Sequence, residues 1–480
     1  MKNTFPCRRV GAKTSDFVSL GLGRCEMPAF FSWRYRMKTE MKKWDCEKKF
    51  LKYVSMNVLG MLGLSFYILA DTWFISKGVG VNGLTALNLA IPIYSFVHGC
   101  GLMLGMGGAS RYSILRGGGK DEDAERMFLL TLLPAVVLIG VFVFCGIFFS
   151  RNIAGMMGAE GTVYEMTECY LRFIFLFSPA FILNDICNCF VRNDGNPKLA
   201  MGAMLTGSLM NIILDYVFVF PLGWGMFGAV FATGLAPVFG MLVLSRHFIK
   251  RKNGFLLWKR KKTMTWNLHE IKSVLLIGIP SLVGEVSSGI VILVLNAIIM
   301  KLDGEAGVAA YGVIANLSLV VIAIYTGIAQ GIQPLQSRYF GGRRKKERKR
   351  TFLYALFMVF GVSVLIYLLL VINATNVVGA FNSEGSQVLQ EIAEQGIRWY
   401  FTGIVFAGMN IIISADFAAA GRVVPAQIIS VLRGILLMVP AAYLLSFVWG
   451  MPGVWLTFPV VEGGVFVVGS IFYRKGKRRG

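Results

Sequence analysis

Twelve stretches of the chain are each long and apolar enough to cross a bilayer, and this pattern limits the possible folds more than any other feature. A membrane-crossing helix needs about 20 mainly apolar residues. Such stretches run over residues 51–76, 84–110, 127–149, 163–190, 198–220, 226–248, 271–300, 308–336, 351–376, 388–417, 425–448 and 452–473, separated by charged or Gly/Pro/Asn-rich breaks. In lipid the backbone must satisfy its own polar groups, which leaves helices or a closed barrel, and the long runs without period-two alternation select helices. The fold class is therefore all-α integral membrane, with twelve transmembrane helices. The charged fraction of 15% agrees, since soluble chains carry roughly 25%.

A formal net charge of +22 would in a soluble chain point to a nucleic-acid surface. Its placement points elsewhere. Of 48 Lys and Arg residues, 42 fall before the first stretch, in alternate loops, or after the last, all on one side of the predicted membrane. The opposite loops hold only Lys77, Arg151 and Lys301, and Arg172, Arg398 and Arg433 lie within stretches. The positive-inside rule then puts both termini in the cytoplasm, with the chain multi-pass in the plasma (inner) membrane. The run Arg343-Arg344-Lys345-Lys346 and the run Lys259-Arg260-Lys261-Lys262 read as topology signals beside anionic headgroups, so the lipid bilayer and not nucleic acid is the expected partner; the chain is expected to be a monomer. Residues 1–36 lack the apolar core of a signal peptide and are read as a disordered tail or an over-extended start, Met37 or Met41 being the alternatives. No Cys or His spacing suits a metal, and no cofactor is expected. His98, in the middle of the second stretch, is read as a hydrogen-bonded interior residue.

The chain repeats at an offset of about 225 residues. Trp224-Gly225-Met226-Phe227-Gly228 recurs as Trp449-Gly450-Met451-Pro452-Gly453, and Glu165, Glu168 and Arg172 recur as Glu391, Glu394 and Arg398. Gly83, Ala86, Gly107, Ser113 and Gly117 recur as Gly307, Ala310, Gly331, Ser337 and Gly341, and Asn184 and Gly195 as Asn410 and Gly421. The domains expected are a tail (1–50), a six-helix lobe (51–248), a basic linker (249–270), a second six-helix lobe (271–473) and a basic tail (474–480). Six helices per lobe makes the repeats parallel, an arrangement typical of transporters that expose a site between their halves to either face in turn.

Acids within membrane helices are costly and mark function by default. Asp71 and Asp215 stand out because Tyr67 and Asn211 each precede them by four residues, on one helix face. Both acids fall in the outer half of their helices, and Thr233 meets them at that depth. Two carboxylates, an amide, a phenol and a hydroxyl offer oxygen ligands to a hard cation such as sodium. Equally, two carboxylates in a low-dielectric pocket cannot both ionise cheaply, so the pair suits a proton. Further polar residues that could face the pathway are Glu285, Asn184 and Asn188 beside Asp185, Gln333, Asp416 and Glu462, with partners such as Arg433 as the alternative for the last two. Glu168/Arg172 and Glu394/Arg398 are read as structural i,i+4 ion pairs.

The segment Tyr67-Ile-Leu-Ala-Asp71-Thr-Trp-Phe-Ile75, the segment Asn211-Ile-Ile-Leu-Asp215, and Gly331-Ile-Gln333-Pro334 followed by Gly341 resemble the multidrug and toxic compound extrusion (MATE) transporters, and among them the DinF-like branch. The resemblance covers about residues 51–473. It implies efflux of bulky, often cationic organic compounds in exchange for protons or sodium ions, with Asp71, Asn211 and Asp215 as the cation site and Tyr67 and Thr233 beside it. The family's other cation-site variant puts acids in the second lobe; Glu285 resembles its seventh-helix acid approximately, the tenth-helix position is Asn410, and Asp416 matches no family motif.

A flippase for lipid-linked saccharides has a similar architecture, but would be expected to cluster basic residues for pyrophosphate, and two of the three arginines within helices have acidic i,i+4 neighbours. An enzyme is not expected: no His-Glu-x-x-His, Gly-x-Ser-x-Gly or P-loop sequence occurs.

Overall fold

The computed structural model describes residues 27–249, 268–382 and 385–478, with side chains from residue 45 to residue 475 within them. Two compact units result, Met1–Lys48 and Lys49–Gly480. A helix runs from Met27 to Gly78, so residues 27–36, read from the sequence as part of a disordered tail or an over-extended start, are helical. Residues 1–26 and most of the basic linker, 250–267, lie outside the described residues.

Helices long and apolar enough to cross a membrane are Asp45–Gly78, Val81–Gly117, Asp121–Phe148, Pro197–Val219, Gly225–Ile249, Leu268–Gly341, Lys345–Ile372, Gln387–Ala419, Val423–Trp449 and Met451–Lys475. The fourth span is a pair, Gly161–Leu176 and Ser178–Asn193, bent by 48°. Leu268–Gly341 is two helices meeting at Gly304, whose φ of 60° and ψ of −146° no helix contains. Counted so, the described residues give twelve spans, as the sequence predicts.

The repeat reappears as geometry. Gly80, Gly195 and Gly225 have φ of 87°, 94° and 55°, and Gly304, Gly421 and Gly450, at the repeat offset, have 60°, 65° and 61°. These are left-handed turn positions that a side chain strains, which explains why glycine stands at each in both halves. Short helices Ser150–Met156 and Ala374–Phe381 also correspond. The fourth and tenth spans both break midway, the tenth through the 3-10 turn Phe401–Gly403. Helix starts are fixed by ordinary capping: Asn196 accepts from Leu199 N at 3.4 Å before Pro197, and Ser386 accepts from Leu389 N at 3.3 Å.

Two apolar clusters form the interior. One gathers spans two to six around Leu104, Leu171, Ile174 and Phe190; the other gathers spans seven to twelve around Tyr325, Phe401, Phe417 and Trp455. Each also takes residues from the opposite half: Phe50 and Val54 of the first span pack in the second cluster, and Val274 of the seventh packs in the first. All three lie near the end of the bundle that carries the basic loops, called the basic end below.

There the halves are joined closely. A Cβ placed on Gly107 or Gly117 of the second span would strike the carbonyl of Val274 or Arg338, and one on Gly278 or Gly341 would strike the carbonyl of Met103 or Ile114. Small residues let helix backbones approach in lipid, where no hydrophobic drive separates helix from tail. Polar bonds complete the junction. Arg192, 1% exposed, donates to Asn57 at 2.9 Å and to Gln330 at 2.6 Å. Asn193 donates to Gln333 at 3.0 Å and accepts from Ser113 at 2.7 Å, and Gln333 donates to Ser110. Arg111 binds Glu270 through two bonds of 2.7 and 2.8 Å.

Arg192 is a correction to the sequence reading, which put it in a loop. It closes the fourth span from inside, and both halves supply its acceptors.

Candidate functional site

The predicted acid pair forms a single buried site. Asp71 is 7% exposed, Asp215 and Asn211 0%, Thr233 4%. The two carboxyls face each other within hydrogen-bonding range, yet Asp71 Oδ1 and both Asp215 oxygens meet no protein donor among the described residues. Two bare carboxylates have nothing to share; one proton between them, or a cation, supplies what is missing. Asn211 Nδ2 lies 3.5 Å from Thr233 Oγ1, leaving Asn211 Oδ1 unpartnered. That carbonyl oxygen adds a further unpaired acceptor beside the two acids.

Helix geometry puts these groups together. Asp71 lies seven residues before Gly78, Asp215 four before Val219 and Thr233 eight after Gly225, roughly 6–12 Å along each helix from the end opposite the basic one. The close match of depths follows from the register of three neighbouring spans.

Tyr67 is in electrostatic reach of both acids, but its hydroxyl bonds Tyr94 of the second span at 3.1 Å. Tyr170, which the sequence reading missed, lies beside Thr233 and in electrostatic reach of both acids. Its only sequence signal was its place on the helix face opposite the Glu168/Arg172 pair, and a tyrosine there reads equally as packing.

The remaining candidates separate. Asp416, 2% exposed, is paired with Arg348 at 2.7 Å, and Glu462, 1% exposed, with Arg433 at 2.8 Å and Asn410 at 2.7 Å. Each is neutralised between spans of the second lobe, the alternative left open for both in the sequence, Glu462 by the same Arg433 named there and Asp416 by Arg348. Asn188 donates to the Ala200 carbonyl at 3.2 Å, and Asn184 abuts Gly240. Both sit where the fourth span packs against the fifth and sixth. Gln333 sits in the junction at the basic end. Asp185 turns to another face, where His98 Nδ1 reaches its Oδ2 at 2.9 Å; Glu285 of the seventh span adjoins this pair and is not part of the Asp71 site. Glu168–Arg172 at 2.5 Å and Glu394–Arg398 at 3.5 Å are ion pairs. Arg172, Arg398 and Arg433 are thus each tied to a carboxylate, and no basic cluster for pyrophosphate forms from them.

The second lobe has the scaffold of the first without its site. At the repeat offset Asp71 falls on Leu295 and Asp215 on Pro440.

Comparison with known proteins agrees with this architecture. The sequence model of the MatE family matches residues 58–217 and 280–444. Multidrug export protein MepA of Staphylococcus aureus (strain MRSA252) is 25% identical over 406 residues, 84% of this chain and 88% of that protein. The same-named protein of Staphylococcus saprophyticus is 23% identical over the same length. Among solved structures, an outward-facing multidrug resistance MATE transporter superposes with a TM-score of 0.84 at 24% identity, covering 90% of this chain and 95% of that one. A transporter from Pyrococcus furiosus, described as having a binding pocket of reversed polarity, gives 0.83 at 24% identity over the same shares. With its family match spanning both halves, this chain belongs to the MatE family of multidrug and toxic compound extrusion transporters.

Proposed function

We propose that the protein is a secondary exporter of organic, often cationic compounds, driven by protons or sodium ions that enter at Asp71 and Asp215. The observation that carries this reading is the facing pair of buried carboxylates without a basic partner. Such a pair costs stability unless it is occupied, so occupancy changes the energy of any state in which the pair stays closed. A proton bridges the two carboxyls; a sodium ion takes one oxygen from each, with Asn211 Oδ1 and Thr233 Oγ1 completing the set. The relatives named as multidrug export proteins support the direction and kind of cargo, and the Asp71 and Asn211–Asp215 segments support the DinF-like branch.

Export is by alternating access. The polar and glycine contacts at the basic end hold that end closed, and the cation drives exchange only by binding the two states with different affinity. The basic end faces the cytoplasm of a cell whose plasma membrane holds the protein as a monomer.

Proteoliposomes loaded with a cationic dye test this. Imposed proton or sodium gradients should drive dye movement, and the gradient that works names the ion. Asp71→Asn and Asp215→Asn should each abolish gradient-driven movement in folded protein. Wild-type efflux by both variants would refute the site.

A further inference from the structure

We propose that the cavity at the basic end, where the two lobes meet, binds a phosphate-bearing anion, and that the bound anion holds this end closed. The inference goes beyond the export reading and does not depend on which cargo moves.

The cavity has a volume of about 410 Å³, within the roughly 300–1,000 Å³ of small-molecule sites. Its wall carries four cations: Lys49 from the first span, Arg116 from the second, Arg338 from the eighth and Arg344 from the turn before the ninth. Tyr53 and Asn193 add a hydroxyl and an amide. Lys49 and Arg116 thus belong to the first lobe, and Arg338 and Arg344 to the second.

Backbone packing fixes how near these charges come. A Cβ on Gly117 would strike the Arg338 carbonyl, one on Gly341 would strike the Ile114 carbonyl, and one on Gly342 would lie 3.0 Å from the Gly117 carbonyl. The ends of the second and eighth spans are therefore in direct backbone contact, and each carries an arginine beside that contact. The turn that follows extends the arrangement. At the repeat offset the first lobe has Gly119, with φ of 77°, where the second has Arg343, with φ of 54°. Arg343 is the one non-glycine residue with positive φ among the described residues, a conformation that disfavours side chains, and it leads directly into Arg344 at the cavity wall.

Carboxylates offset only part of this charge. Arg116 is met by Asp194 at 3.1 Å and by Asp121 at 3.8 Å, and Asp194 also takes His247 at 2.9 Å. Arg338 and Arg344 pair with no carboxylate among the described residues. Closing the basic end thus brings unneutralised cations of the second lobe against Lys49 and Arg116 of the first. Like charges at short range oppose closure, and an anion between them turns repulsion into attraction. Arginine forks match phosphate oxygens two at a time, which favours a phosphate group over a halide. Such groups come from anionic lipid headgroups or from solution. A ligand that touches both lobes binds the closed state better than the open one, and so shifts the population toward closed.

Spin labels on exposed Lys120 and Lys346 of the full chain in nanodiscs read the distance between the lobes at this end. Discs of phosphatidylcholine, the same discs with phosphatidylglycerol added, and the same discs with pyrophosphate in solution are compared at one ionic strength. Anion should raise the ratio of short to long distances about fivefold or more. A response to phosphatidylglycerol alone identifies a lipid headgroup, to pyrophosphate alone a soluble ligand, and to both a site open to either. Arg338→Gln with Arg344→Gln should remove the response. Lys272→Gln with Lys349→Gln, an equal loss of charge at exposed positions outside the cavity, should retain it. No shift with either anion would overturn the site, as would a shift that survives the arginine variant. Equal loss in the two double variants would overturn it too, since surface charge alone would then explain the response. Dye efflux is read separately: a chain that closes on the anion yet moves no dye under either gradient overturns the export reading and leaves this site standing.

Discussion

Asp416 and Asp71 are acids of the same kind, both buried within spans, and their surroundings give them opposite uses. Asp416 has the Arg348 guanidinium at 2.7 Å; Asp71 has another carboxyl. Breaking a buried ion pair strands a charge, so Arg348→Gln should lower unfolding stability by about 3–5 kcal/mol, read as a fall in melting temperature in detergent, with efflux per folded molecule retained. Asp71→Asn should do the reverse, keeping or raising the melting temperature because it removes a repulsion, while gradient-driven efflux is lost. Asp71, Asn211, Asp215 and Thr233 were legible in the sequence because i,i+4 spacing and depth within a span are properties of single helices. Arg348 was not legible as a partner, since it lies in a run of basic residues that reads as a topology signal. Tyr170 was hidden because nothing in its own helix distinguishes a tyrosine that faces acids from one that packs.

Glycines govern the helix elements in two ways. At Gly304 the chain turns between the seventh and eighth spans with φ 60° and ψ −146°, a region essentially restricted to glycine; Gly304→Ala should cost about 1–3 kcal/mol, measurable as a lowered melting temperature. At Gly278 the constraint is contact, since a side chain would meet the Met103 carbonyl across the lobe junction. Gly278→Val should therefore act on conformation, by about 1–3 kcal/mol against the state with the basic end closed. Spin labels on exposed Lys120 and Lys346 should then report longer distances between the lobes in electron–electron resonance; an unchanged distribution would contradict this. The repeat announced these glycines, but only the packed helices separated the turns from the contacts.

At the scale of the whole molecule, Arg192 joins the halves. Its guanidinium, in the first lobe, donates to Asn57 beside it and to Gln330 of the second lobe. A charge-assisted bond is worth about 1.5–3 kcal/mol, so Arg192→Met should raise the population open at the basic end by roughly tenfold or more, read with the same pair of labels. In the rocking exchange proposed above, this bond, the Gln333 contacts and the Arg111–Glu270 pair part together. Alone, the sequence determined the number and length of the spans, the parallel repeat, the end that carries the positive charge, and the one helix face that each of Asp71 and Asp215 occupies. Those follow from hydropathy and periodicity, which act along a single segment. Only the tertiary structure decided which buried charges are neutralised, as at Asp416 and Glu462, that Arg192 lies inside the junction, and that His98, Asp185 and Glu285 gather where the lobes meet. Those outcomes depend on helices far apart in sequence arriving at one depth, where low dielectric makes an unpaired charge costly and so makes each partner decisive.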